Sequence, residues 1–367
     1  MKRVVCIPES MPLIHSPDSS ALDELCQQLS AKADELDVSG RWPSEQLRLC
    51  GEHGVFRWFL PPEWGGFGWS EADTIRGYLR LSDACLTTTF VITQRTGACR
   101  RILDGENEAM KARWLPSLAE GSTFATVGIS HLTTSRRHLS KPVLRAIETT
   151  DGFTLDGFSP WVTGGDAADC IVTGGTLDDG RQILVAVPTD VTGITCPDPA
   201  RLVALSASHT GEVRFDRVSV PSEWVIAGPV ENVMSRGSGA ATGGLNTSTL
   251  ALGLASAAID FLTEQSRQRS DLLAPAESLH AEWQATVDDL LAAADGHPRC
   301  SSEELRGRAN ALALRGSQAA LTAAKGTGYV VGHPAGRWCR EALFFLVWSC
   351  PQPVMNATLC ELAGLGD

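Results

Sequence analysis

The repeat of the apolar residues changes twice along this chain, and that double change constrains the fold more than any single motif. Up to residue 118 the spacing is helical. Leu22, Leu25, Leu29, Ala33 and Leu36 recur every three or four residues, as one face of a helix requires. Ser70-Glu71-Ala72-Asp73 opens a second helical run to Leu81, with a capping serine and acids in its first turn. Residues 106–118 place Met110, Trp114 and Leu118 at four-residue intervals before Gly121 ends the run. Between these runs, Pro61-Pro62-Glu63-Trp64-Gly65-Gly66-Phe67-Gly68 reads as a loop, because its prolines and glycines interrupt either regular pattern.

After Ser122 the pattern becomes short, β-branched and punctuated. Residues 123–129, 142–148, 152–155, 170–174, 182–187 and 211–218 read as strands separated by turn signals such as Asp151-Gly152 and Asp179-Gly180. Long helical repeats then return over 250–267, 280–294 and 302–325, and a last run, 336–350, stops at Pro351. These changes divide the chain into a helical part (1–121), a β-rich part (122–230) and a second helical part (231–367).

Composition excludes several functions. The 367 residues carry 43 acidic against 31 basic side chains, a formal charge of −12, which argues against a general nucleic-acid binder. Polar residues rather than an apolar segment follow the first basic ones, and the apolar run 250–262 is short and carries Asp260; the expectation is a cytoplasmic protein without membrane segments. Eleven cysteines are spread without a Cys-x-x-Cys pair and read as reduced, small core residues. His131 and His138 lack the neighbouring ligands of a metal site, so no metal is expected. Neither Gly65-Gly66-Phe67-Gly68 nor Gly326-Thr327-Gly328 has the strand–helix context of a dinucleotide fingerprint.

Two segments carry chemistry. Trp161-Val162-Thr163 sets an aromatic plane beside a hydroxyl at a strand end, suited to a flat ring with a polar edge, although a core tryptophan beside a capping threonine needs no ligand. Ser130-His131-Leu132-Thr133-Thr134-Ser135-Arg136-Arg137-His138 gathers hydroxyls and two guanidinium groups able to meet phosphate or carboxylate; solvation and local ion pairing are the simpler explanation.

The order of further motifs resembles the acyl-CoA dehydrogenase family. Trp42-Pro43 precedes the 60–68 loop. Trp114-Leu115-Pro116 and Glu120-Gly121 follow, then Gly152-Phe153-Thr154-Leu155-Asp156-Gly157 with Trp161-Val162-Thr163, then Phe215-Asp216-Arg217-Val218, and finally Gly326-Thr327-Gly328-Tyr329 leading to Arg340-Glu341-Ala342. The resemblance implies an amino-terminal helical domain, a central β-barrel-like domain and a carboxyl-terminal helical bundle. It also implies FAD between the last two, an acyl-CoA substrate, an electron-transfer protein as partner, and a homodimer or homotetramer. By the same resemblance Trp161 and Thr163 are flavin contacts, with His131, Thr133, Arg136 and Arg137 in the phosphate-side segment. Arg269 reaches the cofactor phosphate of a neighbouring subunit, and Gly326 stands at a close approach.

The chemistry departs from that pattern. The family removes an α-proton with a glutamate while a hydride passes to the flavin. Here the two usual base positions fall at Ser349 and at about Gly243. His131, His138 and Glu341 are substitute candidates. Three readings stay open: a dehydrogenase with an altered or absent base, a flavin-dependent oxygenase or oxidase, and a noncatalytic flavin- or partner-binding scaffold.

Overall fold

The computed structural model describes residues 12–133, 142–235 and 244–365. Helices α1 (Ser20–Ser39), α2 (Ser44–Glu52), α3 (Glu71–Ala84), α4 (Leu86–Asp104) and α5 (Glu108–Glu120) come first. The Ser70 hydroxyl accepts from the Asp73 amide at 3.1 Å to cap α3, and left-handed Gly40 and Gly121 stop α1 and α5. The 60–68 loop folds back on itself so tightly that a Cβ on Gly66 would lie 1.8 Å from the Leu60 carbonyl oxygen. That contact makes glycine obligatory there.

Among the described residues eight strands follow: β1 (Ala125–Gly128), β2 (Leu144–Thr149), β3 (Gly152–Thr163), β4 (Cys170–Thr176), β5 (Gln182–Pro188), β6 (Ile194–Thr195), β7 (Thr210–Pro221) and β8 (Val225–Val230), with a short helix α6 (Ser130–Thr133) after β1. Their order is β6-β7-β3-β2-β4-β5-β8, with β1 pairing β4 in parallel. The central unit is therefore an open mixed sheet, and the barrel-like expectation is corrected. Two features keep it open. One edge strand, β6, has only two residues, and the other, β8, carries Pro229, which has no N–H to offer a further strand. Inside the sheet, β1 occupies residues 170–173 of one β4 edge, leaving β2 a single register pair, Arg145↔Thr176.

The carboxyl-terminal helices are α7 (Leu245–Ser266), α8 (Leu273–Ala294), α9 (Ser302–Ala324), α10 (Pro334–Ala342) and α11 (Gln352–Leu362). The run expected to be helical to Cys350 ends eight residues earlier: α10 gives way to a 3-10 turn, Leu343–Leu346, and then to an irregular turn through Ser349. Helix α7 is long and apolar enough to cross a membrane by length and composition, but 67% of that stretch is buried within the protein, as in a core helix. Gly253 on α7 explains how closely it meets α3, since a Cβ there would sit 2.7 Å from the Leu79 carbonyl oxygen. Ile75, Leu79, Leu86 and Phe90 of α3 and α4 share one apolar core with Leu250, Leu254, Leu312 and Phe345. Burying such side chains is worth about 1.5–3 kcal/mol each, so this shared core fixes the helical parts against one another.

Polar contacts reinforce that docking. Arg337 Nε donates to Asp34 at 2.8 Å, and Arg340 forks onto Asp37 at 2.5 and 3.0 Å, joining α10 to α1.

Candidate functional site

The site starts from the crossing of β1 and β3. A Cβ on Gly128 would lie 2.8 Å from Ser159 Oγ and 3.0 Å from a Val162 methyl, so the end of β1 rests directly on β3. Thr126 Oγ1 donates to the Thr163 carbonyl at 2.7 Å, and the Thr163 hydroxyl meets Thr210 Oγ1 at 2.9 Å, which in turn meets Ser208 Oγ at 2.8 Å. The pairing of β3 with β7 shifts register between Ser159 and Val162, so simple alternation fails there. Val162 and Thr163 are both buried, whereas Trp161 is 52% exposed. Thr163 thus acts through the sheet, and Trp161 is the open aromatic surface.

Helix α6 begins two residues after Gly128. His131 is buried there, its Nε2 lies 2.7 Å from the Gly174 carbonyl oxygen of β4, and burial pushes its imidazole below the usual histidine range. Ser130 Oγ, His131 Nδ1 and Ser159 Oγ are all buried without a hydrogen-bond partner among the described residues. Buried polar atoms are normally paired, so each of these is an exception. Thr133 Oγ1 bonds back to the Ser130 carbonyl at 3.3 Å. Arg136, Arg137, His138 and Gly243 lie outside the described residues.

The other expected contacts belong to the bundle. Arg269 Nη1 donates to the Ala323 carbonyl at 2.7 Å, and its other arm is 3.6 Å from Asp271. Gly326 lies in a 3-10 turn, Lys325–Tyr329, and a Cβ there would meet nothing within 4 Å; within this chain the close packing falls at Gly328, where a Cβ would sit 2.7 Å from that of Ala324. His333 is a helix cap, accepting from the Ala335 amide at 3.1 Å.

Ser349 is half-buried in a turn with a left-handed backbone, φ 46°. The preceding residues are fixed from below. Arg306, fully buried on α9, donates to the Trp348 carbonyl at 2.9 Å, and Asn310 donates to that of Phe345 at 3.0 Å. Trp348 stacks on Phe344 with centroids 4.9 Å apart, and Phe90 meets both edge-on. Burial pushes Arg306 down to about 10. Glu341 is not near-free: its carboxylate oxygens lie 3.4 and 3.5 Å from Arg337, and burial, opposed by that arginine, pushes it up to about 7. The turn therefore presents a serine hydroxyl with no carboxylate at its own position.

Sequence reasoning did not single out Ser159, Arg306 or Asn310. A signal existed for the last two, since Arg306, Asn310, Ala313, Ser317 and Ala320 share the buried stripe of α9, and a charged residue in a core stripe has a buried task. Ser159 had no comparable signal; it is placed by the crossing with Gly128. Among the described residues no group of three or more His, Cys, Asp or Glu is placed to hold a metal ion.

Residues 19–122 match the model of the acyl-CoA dehydrogenase amino-terminal domain. An acyl-CoA dehydrogenase of Bacillus subtilis is 24% identical over 338 residues, covering 86% of this chain and 88% of the relative. Over most of its length the chain is thus similar to acyl-CoA dehydrogenases. Its fold matches a glutaryl-coenzyme A dehydrogenase complexed with glutaryl-CoA, with a TM-score of 0.79 and 19% identity over 95% of this chain and 96% of that one. It matches the dibenzothiophene monooxygenase of Paenibacillus sp. A11-2 almost equally, with a TM-score of 0.78 and 15% identity over 94% and 97%. The same fold thus carries different named reactions, and the site must choose between them.

Proposed function

We propose that this protein is an FAD-dependent oxidoreductase on the acyl-CoA dehydrogenase scaffold whose usual catalytic carboxylate is absent. The observation that carries the reading lies around the β1–β3 crossing: Trp161 stands exposed on β3, while Ser130 Oγ and His131 Nδ1, on the helix that follows β1, are buried without a hydrogen-bond partner among the described residues. Such residues suit a flat heteroaromatic group with a polar edge, Trp161 supplying a ring face and polar atoms after β1 supplying hydrogen bonds. Thr163 supports Trp161 from the sheet, and Arg269 holds the carboxyl end of α9. FAD bound there would accept or donate electrons as a hydride or singly. Around it, this chain orders the 345–350 turn through Arg306 and Asn310 and packs Phe90, Phe344 and Trp348 behind it.

Acyl-CoA is the substrate class we propose, by the resemblance and the names of the relatives, with an electron-transfer protein as acceptor and a homo-oligomer as the working form. A flavin-dependent monooxygenase is the second reading. Ser349 favours it, because a serine hydroxyl cannot remove an α-proton as a carboxylate does, and a monooxygenase shares the fold.

Anaerobic mixing of the FAD-loaded protein with a panel of acyl-CoAs separates the two. Bleaching of the flavin supports dehydrogenation; no bleaching, together with oxygen consumption by the reduced protein in the presence of a non-thioester substrate, supports the second reading. Failure of the purified protein to bind FAD defeats both. Ser349→Glu, which restores a carboxylate, is expected to create or raise acyl-CoA-dependent bleaching by at least tenfold.

A further inference from the structure

Trp161 lies in the irregular stretch of β3. Ser159 pairs with Val213 of β7 and Val162 with Gly211, and the pairing passes over Pro160 and Trp161 between them. A bulge of this kind re-aims a side chain, in a direction set by the paired residues on either side. After Trp161 those residues are 162–164, which rest on the turn that leads into β7. The Gly164 amide donates to the Ser208 and His209 carbonyls at 3.0 and 3.1 Å, and the Thr163 hydroxyl meets Thr210 Oγ1, itself bound to Ser208 Oγ. His209 stands in that turn with a left-handed backbone, φ 48°, which a residue with a side chain keeps only where its surroundings hold it.

The His209 imidazole makes two contacts. Nδ1 lies 2.8 Å from Asp166 Oδ2, and because a carboxylate only accepts, Nδ1 is the donor. The ring also faces Trp42, with centroids 5.6 Å apart, and Trp42 meets Phe124 edge-on at 5.3 Å. Trp42 in turn presses on the strand end, since a Cβ on Gly164 would lie 2.3 Å from its ring. His209 therefore joins the 3-10 turn Gly165–Ala167 after β3, the turn before β7, and Trp42 from the loop between α1 and α2. Its pair with Asp166 is partly exposed, 22% and 35% for the two side chains, so it contributes to geometry more than to stability.

Resting on the flavoprotein reading above, we propose that His209 is a positioning residue for the flavin site. Tied to Asp166 and seated against Trp42, it fixes the backbone of residues 162–164, and through it the direction in which Trp161 presents its ring. It touches no cofactor in this assignment.

The test uses the full chain, first without FAD. In His209→Ala, hydrogen exchange of the Gly164 amide, followed in a peptide spanning 160–168, should quicken by about tenfold. The fluorine resonance of Trp161 in fluorotryptophan-labelled protein, assigned with Trp161→Phe, should move. FAD affinity, read by quenching of flavin fluorescence, should fall about fivefold. His209→Asn places an amide nitrogen where the histidine Nδ1 stands and tolerates the left-handed backbone, so it should restore every readout to within about twofold. His209→Gly accepts the backbone but cannot reach Asp166, and should not restore them; Asp166→Ala should reproduce His209→Ala. A His209→Gly variant with wild-type Gly164 exchange, Trp161 resonance and FAD affinity overturns the proposal. Should His209→Ala not fold, the Gly variant and Asp166→Ala decide. Wild-type protein that binds no FAD defeats the flavoprotein reading and this role with it; FAD binding by the wild type with an unaffected His209→Gly variant defeats this proposal alone.

Discussion

Arg337 on α10 and Arg306 on α9 are 5% and 0% exposed, yet they are satisfied by opposite means. Arg337 lies 2.8 Å from Asp34 and 3.4 Å from Glu341, so charge meets charge. Arg306 has no ion pair among the described residues; its contacts are the carbonyls of Phe345 and Trp348, and its Nε and Nη1 are unpartnered. The first arrangement docks two helices and pairs Glu341 with a guanidinium. The second shapes the turn that leads into Ser349. A buried cation can therefore serve as a rivet or as a template, depending on whether its partners are side chains or main chain.

The comparison breaks most readily at the rivet. Arg337→Met should cost about 3–5 kcal/mol in denaturant unfolding, the usual penalty for stranding a buried charge. The loss should be smaller near pH 6 than near pH 8.5, because a lone Glu341 escapes by binding a proton. A loss below about 1 kcal/mol at pH 8.5 would show that Arg337 and Glu341 do not act as a buried pair. Glu341→Gln sharpens the point. Its folded-state value, about 7, lies above the ordinary glutamate value. The folded chain then holds more protons than the unfolded one between those limits, and stability falls as pH rises through them. The variant should lose that slope, measured as unfolding midpoints from pH 4.5 to 7.5.

Arg306→Met tests the template. Freed carbonyls cost about 1–3 kcal/mol, but a desolvated charge is removed as well, so the net loss should be smaller than for Arg337→Met. The diagnostic readout is Trp348: its emission should shift and broaden as the turn loosens, with little change in far-ultraviolet dichroism. The smallest effect belongs to Ser349→Gly. Relief of a left-handed backbone at φ 46° should stabilise by up to about 1 kcal/mol, and no gain would indicate that the hydroxyl itself has a task.

Much of this layout was legible in the sequence, though not its sharpest parts. The helix of Leu22–Leu36 appears as α1, and Ser70 caps α3 as its motif requires. Helix α4 was invisible as a separate element because it is buried around most of its circumference and threonine-rich, so no amphipathic stripe marks it. Strands β6 and β8 escaped notice because one is two residues long and the other contains proline. The open sheet could not be read locally, since closure depends on which edges meet. At the site, Trp161 and His131 stood out by type, whereas Ser159 became visible only once Gly128 was seen to rest on it. Periodicity reports faces, and the seam is a crossing of two faces.

The ion pairs between α1 and α10 have one more consequence, for the order of synthesis. Asp34 and Asp37 lie 303 residues before Arg337 and Arg340. During translation the amino-terminal helices emerge about 15–60 s ahead of their partners, at about 5–20 residues per second. Over that interval the acidic side of α1, and the apolar faces of α3 and α4 that later receive α7, have nothing to dock on. A nascent chain of this protein should thus lean on holding chaperones until its last sixty residues are made, and ribosome-bound intermediates of 300 residues should remain protease-sensitive in α1 where the finished chain is not.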